Sequence, residues 1–172
     1  MLESVFVGIF SSFAASSAFL LVLFKLRPKI EISEEIADQS NQNGPCFAFK
    51  LINKSRYQIF DISMEAMLIT PVQVPGGAVY NPTELPLRRS HFHELGGFNK
   101  NDTTAHYALR VATLVDLREV WKSDSQFLRV NVVSRHALSG FSGVHTMVFH
   151  TKGQIKIGKH RFGESLAVEK IG

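Results

Sequence analysis

From Ser4 to Phe24 the sequence runs for 21 residues without one ionisable side chain, and no other feature constrains the chain as much. The stretch VFVGIFSSFAASSAFLLVLF, Val5 to Phe24, has the length to cross a bilayer once: at 1.5 Å per residue its helix spans roughly 30 Å, the hydrocarbon thickness. A cleaved secretory signal would need a basic leading region, a shorter apolar stretch and a small-residue cleavage site. Here the only charge before the run is Glu3, and the run ends directly in Lys25, Leu26, Arg27, Pro28 and Lys29. The expectation is a transmembrane anchor with a basic membrane-exit linker over residues 1–28 and one domain over residues 29–172. Basic residues on the C-terminal flank, against an acidic N-terminus, orient that domain to the cytoplasm. Lone Cys46, which cannot form an internal disulfide, agrees with a reducing compartment.

Inside the apolar run, Gly8, Ser12 and Ser16 recur every four residues, with Ser11 and Ala15 beside them. A stripe of small residues lets two helix backbones approach closely in lipid, where packing drives association. The stripe therefore points to self-association or to docking on another membrane helix; a single-pass anchor also tolerates such residues without a partner.

Beyond Pro28 the hydrophobic period changes from helical to near two, and Gly, Pro, Asn and Ser clusters separate the segments. At 45% hydrophobic and 20% charged residues, the chain excludes a disordered or collagen-like protein. Strands are expected at Lys29–Ile36, Phe47–Asn53, Gln58–Ile69, Tyr107–Val115, Phe127–His136, Val144–His150, Gln154–Ile157 and Ser165–Lys170. Alternation is clearest at Phe60, Ile62, Met64, Ala66 and Leu68, which leaves Asp61, Ser63 and Glu65 facing water. Asn41–Pro45, Pro71–Gly77, Pro82–Pro86 and Ser123–Ser125 read as turns or loops. Leu114–Trp121 offers a short helix. The pattern predicts an all-β fold, an immunoglobulin-like β-sandwich of about eight strands preceded by one transmembrane α-helix.

Seven histidines are the remaining source of chemistry. With a hairpin tip at Gly140–Phe141, residues whose numbers sum to 281 lie opposite each other, and His136 faces His145. Such a pair could bind a metal, with His91 or His93 as a third ligand; it could also sense pH, because two close imidazoles resist double protonation. Zinc needs three or four converging ligands, and neither Cys-x-x-Cys nor His-Glu-x-x-His is present to supply them. No phosphate-binding glycine loop follows a strand. Ser142 between Gly140 and Gly143 lacks the spacing of a nucleophile elbow. The reading therefore leans away from an enzyme, with a metal-dependent hydrolase using His136, His145 and a third ligand such as His91 or His93 as the enzymatic alternative, and no cofactor is expected.

The basic residues say more. Lys25, Arg27 and Lys29 sit where anionic headgroups would lie, each contributing on the order of 1 kcal/mol to lipid contact. Lys152, Lys156, Lys159, His160 and Arg161 form a second cluster, read mainly as a solvated strand pair. A net charge of +4 on a chain already fixed by an anchor argues against nucleic acid as a partner.

The helix running into Leu26, Arg27, Pro28 and Lys29, followed by Ile32, Ser33 and the stretch Phe47-Ala48-Phe49-Lys50-Leu51-Ile52-Asn53, resembles the start of the cytoplasmic domain of inward-rectifier potassium channels. Phe127–Val133, Arg135 and His136, with Ile157-Gly158-Lys159-His160-Arg161-Phe162, are similar to a later strand pair and a Gly-His-Arg-Phe-like segment of that family. The likeness covers residues 20–165 in patches. It lacks the first pore helix, the Thr-Val-Gly-Tyr-Gly filter and the mid-domain Ser-Pro-Leu motif, so it does not imply conduction. It implies an immunoglobulin-like sandwich below one membrane helix, oligomerisation, and anionic-lipid contact through Arg27 and Lys29. The expected partners are membrane lipids and either a second copy or another membrane protein.

Overall fold

The computed structural model describes residues 2–170, with side chains from residue 6 onward. The expected outer limits at Met1 and Gly172, and the side chains of residues 2–5, lie outside the described residues. Helix α1 (Leu2–Lys25) leads into β1 (Ile30–Ile32), β2 (Ile36–Asp38), β3 (Phe47–Asn53), β4 (Ile59–Val74), β5 (Gly77–Glu84), β6 (His91–Leu95) and β7 (Ala108–Thr113). A short α2 (Leu117–Val120) precedes β8 (Phe127–His136), β9 (Ser142–Phe149), β10 (Ile155–Ile157), β11 (Lys159–His160) and β12 (Val168–Glu169). Within α1, Phe6–Lys25 is long and apolar enough to cross a membrane.

Two five-stranded sheets carry the fold. In the first, β3 is central: β7 lies on one edge, β1 and β2 share the other, and β10 pairs in parallel outside β2. In the second, β4 is central, with β8 then β9 on one edge and β6 and β5 end to end along the other. Phe47, Phe49 and Leu51 of β3 share one buried cluster with Met64, Ala66 and Leu68 of β4, Leu128, Val130 and Val132 of β8, and Phe149 of β9. Trp121 joins that cluster, its indole N–H donating to the Gln126 carbonyl.

Strand β3 is buried on both faces. Its second face, carrying Lys50 and Ile52, is covered by the loop around Ala105–Tyr107 and by the C-terminal segment. The Lys50 ammonium donates to the carbonyls of Arg161 (2.6 Å), Gly163 (2.7 Å) and Ser165 (2.6 Å), so a charged residue sits inside an otherwise apolar strand with its donors satisfied.

The structure corrects four expectations. The first strand breaks in two, because the Ser33 hydroxyl donates to the Glu35 carbonyl and accepts from the Glu35 N–H, making a turn between β1 and β2. The regular alternation of β4 fails at its start: Asp61 adopts φ +50 in a bulge, so Ile59 turns inward and Phe60 is 36% exposed. The stretches read as loops at Pro71–Gly77 and Pro82–Pro86 are largely the arms of the β4–β5 hairpin. The Leu85 N–H donates to the Ala66 carbonyl; by alternation the nitrogen of Pro82 faces the open edge of β5, and that of Pro71 faces the side where β8 has already ended. Finally, β8 and β9 pair with a sum of 277 rather than 281, Val132 lying opposite His145. The connection is a four-residue loop, closed by the His136 N–H on the Phe141 carbonyl with Gly140 at φ +68, instead of a two-residue turn.

Candidate functional site

The residues with the clearest functional geometry surround the end of α1. Pro28 is buried, and because its ring cannot continue the helix, the chain turns there into the first sheet. Lys25, Arg27 and Lys29 flank that turn and are exposed. The Arg27 guanidinium stands 4.4 Å from the centre of the Phe24 ring, held by the ring's quadrupole rather than by a carboxylate.

The helix end is fastened to both sheets. On the first, the Lys29 N–H donates to the Ser55 hydroxyl at 2.8 Å, and the Lys54 N–H donates to the Lys29 carbonyl at 2.7 Å. On the second, the β8–β9 loop folds against the last turn: the Ser139 hydroxyl donates to the Leu26 carbonyl at 2.7 Å, and Phe141 stacks on Phe24 with ring centres 6.2 Å apart. Gly143 permits close approach, since a Cβ there would lie 3.4 Å from the Pro28 ring and 3.2 Å from His145 Nε2. The sequence placed a hairpin tip at Gly140–Phe141; it carried no sign that the tip docks on the helix.

Gly8, Ser12 and Ser16 line one shallow groove on α1, together with Ile9 and Phe13, of about 400 Å³. A Cβ on Gly8 would meet nothing within 4 Å. The expected stripe is therefore one face, open to a neighbour.

The proposed His136–His145 metal pair is not formed, because the register shift separates the two. His136 is buried, its ring edge-on to Tyr57 at 5.7 Å, while His145 sits beside Pro28 with Nε2 buried and unpartnered. Burial lowers the pKa of both imidazoles. His91 and His93 do share one face, their rings 6.1 Å apart, and both are exposed. Among the described residues, no three His, Cys, Asp or Glu side chains are grouped to hold a metal ion.

The second basic cluster does not assemble into a surface. His160 is buried, its ring nitrogens 3.1 Å from the Ala48 carbonyl and 3.2 Å from the Leu166 carbonyl, and Arg161 pairs with Glu169. Burial lowers the His160 pKa, and Lys50 and Arg110 add to that against its two carbonyl partners. Lys50 is pushed down to about 8, by burial first and then by the charges of Arg110 and Lys54.

A concavity of about 720 Å³ opens between β1, the turn after it and β9, and brings Glu31, Glu34 and Glu35 near Thr146. Glu31 is already paired with Lys54 at 3.2 Å, and Glu35 accepts from the Val168 N–H at 2.9 Å. Glu31 and Glu35 thus serve the fold. Compared with known proteins, the chain matches no family model and no curated protein sequence.

Proposed function

We propose that this chain is a non-enzymatic, single-pass membrane protein whose cytosolic immunoglobulin-like β-sandwich recognises another protein or a second copy of itself, with anionic lipid held at Lys25, Arg27 and Lys29. Two sheets sharing one core support the sandwich, and the uncharged helical run followed by exposed cations supports the anchor and its orientation. The observation that carries the lipid part is that those three cations surround a helix end fastened to the domain on both sheets. Fastening keeps the cations at headgroup height instead of on a mobile linker. The stretch Phe47–Asn53 that carries the resemblance to inward-rectifier domains forms one uninterrupted strand, paired to β1 just beyond the helix, which fits the same reading.

At about 1 kcal/mol per cation, the trio contributes about 3 kcal/mol, or about a hundredfold in affinity. Residues 25–172 are therefore expected to bind vesicles rich in phosphatidylserine far more tightly than phosphatidylcholine vesicles, and to lose the difference in high salt. Equal binding to both contradicts the lipid part of the reading.

A second reading makes the protein an accessory subunit of a channel or transporter. The groove along Gly8, Ser12 and Ser16 favours it, because a partner helix would fit closest there. Replacing Gly8 and Ser12 by Leu is expected to abolish co-purification of the partner, and unchanged recovery counts against this reading.

A further inference from the structure

The β8–β9 loop, Ala137-Leu138-Ser139-Gly140-Phe141, carries no charge. Its most prominent side chain, Leu138, is 61% exposed, although the same loop is held rigidly at both shoulders. One shoulder is the Ser139 hydroxyl on the Leu26 carbonyl; the other is Phe141 against Phe24. Phe24 belongs to the apolar span Phe6–Lys25, so the loop stands at the height of the span's last turn. A loop packed on that turn lies within about one helical pitch, 5.4 Å, of the hydrocarbon boundary. Beyond it the exposed pair Arg135 and Ser142 ends the uncharged surface of the loop, and Val133 and Val144, opposite each other, are exposed two pairs further on. The cations at positions 25, 27 and 29 mark the polar side of the same boundary.

From this geometry we infer that the β8–β9 loop is a second membrane contact: it inserts Leu138 into the bilayer interface beside α1, so that the domain meets the membrane at two points. The inference rests on the reading of α1 as a membrane span. It does not rest on lipid charge, because the loop is uncharged and its contribution is apolar burial. The occupant of this surface is lipid, since the groups that fix the loop place it against the span itself. A helix tethered only at one end would let the domain tilt; a loop buried beside it fixes the domain's orientation.

The test uses the full chain in a Cys46→Ser background, reconstituted in vesicles of phosphatidylcholine alone and of phosphatidylcholine with phosphatidylserine. A nitroxide is attached at Leu138→Cys, with Val22→Cys reporting the span and Tyr80→Cys reporting water. Tyr80 is a suitable water reference: β4 starts beside His136 and runs from Ile59 to Pro71, opposite Tyr80, roughly 40 Å away at 3.3 Å per residue. Collision of each label with oxygen, which partitions into lipid, is compared with collision with a water-soluble nickel chelate. The expected result is an oxygen-to-nickel ratio at position 138 that approaches that of position 22 and exceeds that of position 80 several-fold, in both lipid mixtures. A ratio at 138 equal to that at 80 overturns the inference while leaving the span intact. Suppression of both collisions at 138 means that protein covers the loop, and a lipid signal only with phosphatidylserine means that charge carries it; each overturns the inference. A water-like ratio at position 22 removes the span reading and the inference with it.

Discussion

Removing the loop's hold on the helix, by Ser139→Ala together with Phe141→Ala, should free the domain to swing on α1 without unfolding it. The Ser139–Leu26 hydrogen bond contributes about 1 kcal/mol. The Phe141–Phe24 stack adds about 1 kcal/mol beyond its buried area. Losing both raises the undocked population about thirtyfold, since 1.4 kcal/mol is a factor of ten. Neither residue belongs to the buried core, and the Lys29–Ser55 and Lys54–Lys29 bonds keep the first sheet attached, so the thermal transition of the domain should move little. Pulsed electron–electron distance measurements between nitroxides at Val22→Cys on α1 and Glu65→Cys on β4 read the hinge directly. With the clasp intact, in a Cys46→Ser background, the pair is expected to give one narrow distance distribution, and the double variant a broad one. Each single variant should fall between, with coupling, because both residues act through the same loop. An unchanged narrow distribution in the double variant would refute the clasp.

Lys50→Met leaves three carbonyls facing an apolar side chain and is expected to cost about 3 kcal/mol, lowering the urea midpoint and exposing the segment after residue 158 to protease; an unchanged midpoint would contradict the role given to this ammonium. The pH dependence follows from His136, His145 and His160, whose pKa values are lowered by burial. The unfolded chain takes up these protons first, so their contribution is fully present above about pH 6.5 and is lost as pH falls below it. Stability therefore falls as pH drops below about 6.5, and a flat stability profile from pH 7.5 to 5 would be the contrary result. Gly158→Ala should cost about 2 kcal/mol, because its φ is +145 and the new Cβ would fall 1.9 Å from the Glu169 carbonyl oxygen, parting β11 from β12. Gly140→Ala, at φ +68 with open space around it, should cost only about 1 kcal/mol, and equal losses at the two positions would argue against the steric account.

The sequence made several elements legible where burial imposed a period, but not β6, which buries Phe92 and Leu95 among exposed His91, His93 and Glu94 and was not expected as a strand. Strands β3 and β8 begin and end at the residues expected, and α1 stops at the basic flank, because apolar runs bounded by polar or turn residues leave little choice. Strand β5 was invisible for the opposite reason: all eight of its residues are exposed, so no alternation marks it, and its proline sits where an edge strand tolerates one. The bulge at Asp61 and the four-residue loop before Phe141 each shift a register, and neither has a signature that separates it from a regular strand or a shorter turn. That single loop decides the candidate site: it parts His136 from His145 and carries Ser139 and Phe141 onto the helix. The cations were readable as a cluster, whereas their fastening depends on contacts more than 100 residues apart, such as Ser139 to Leu26.

The measurement closest to the central claim is the mass and composition of the particle extracted from native membranes in a mild detergent. Recognition of a partner or of a second copy predicts a particle larger than one 19.2 kDa chain with its detergent, either a homo-oligomer or a complex with a second membrane protein in fixed ratio. A monodisperse single chain, recovered alone across detergents that preserve other membrane complexes, would contradict it.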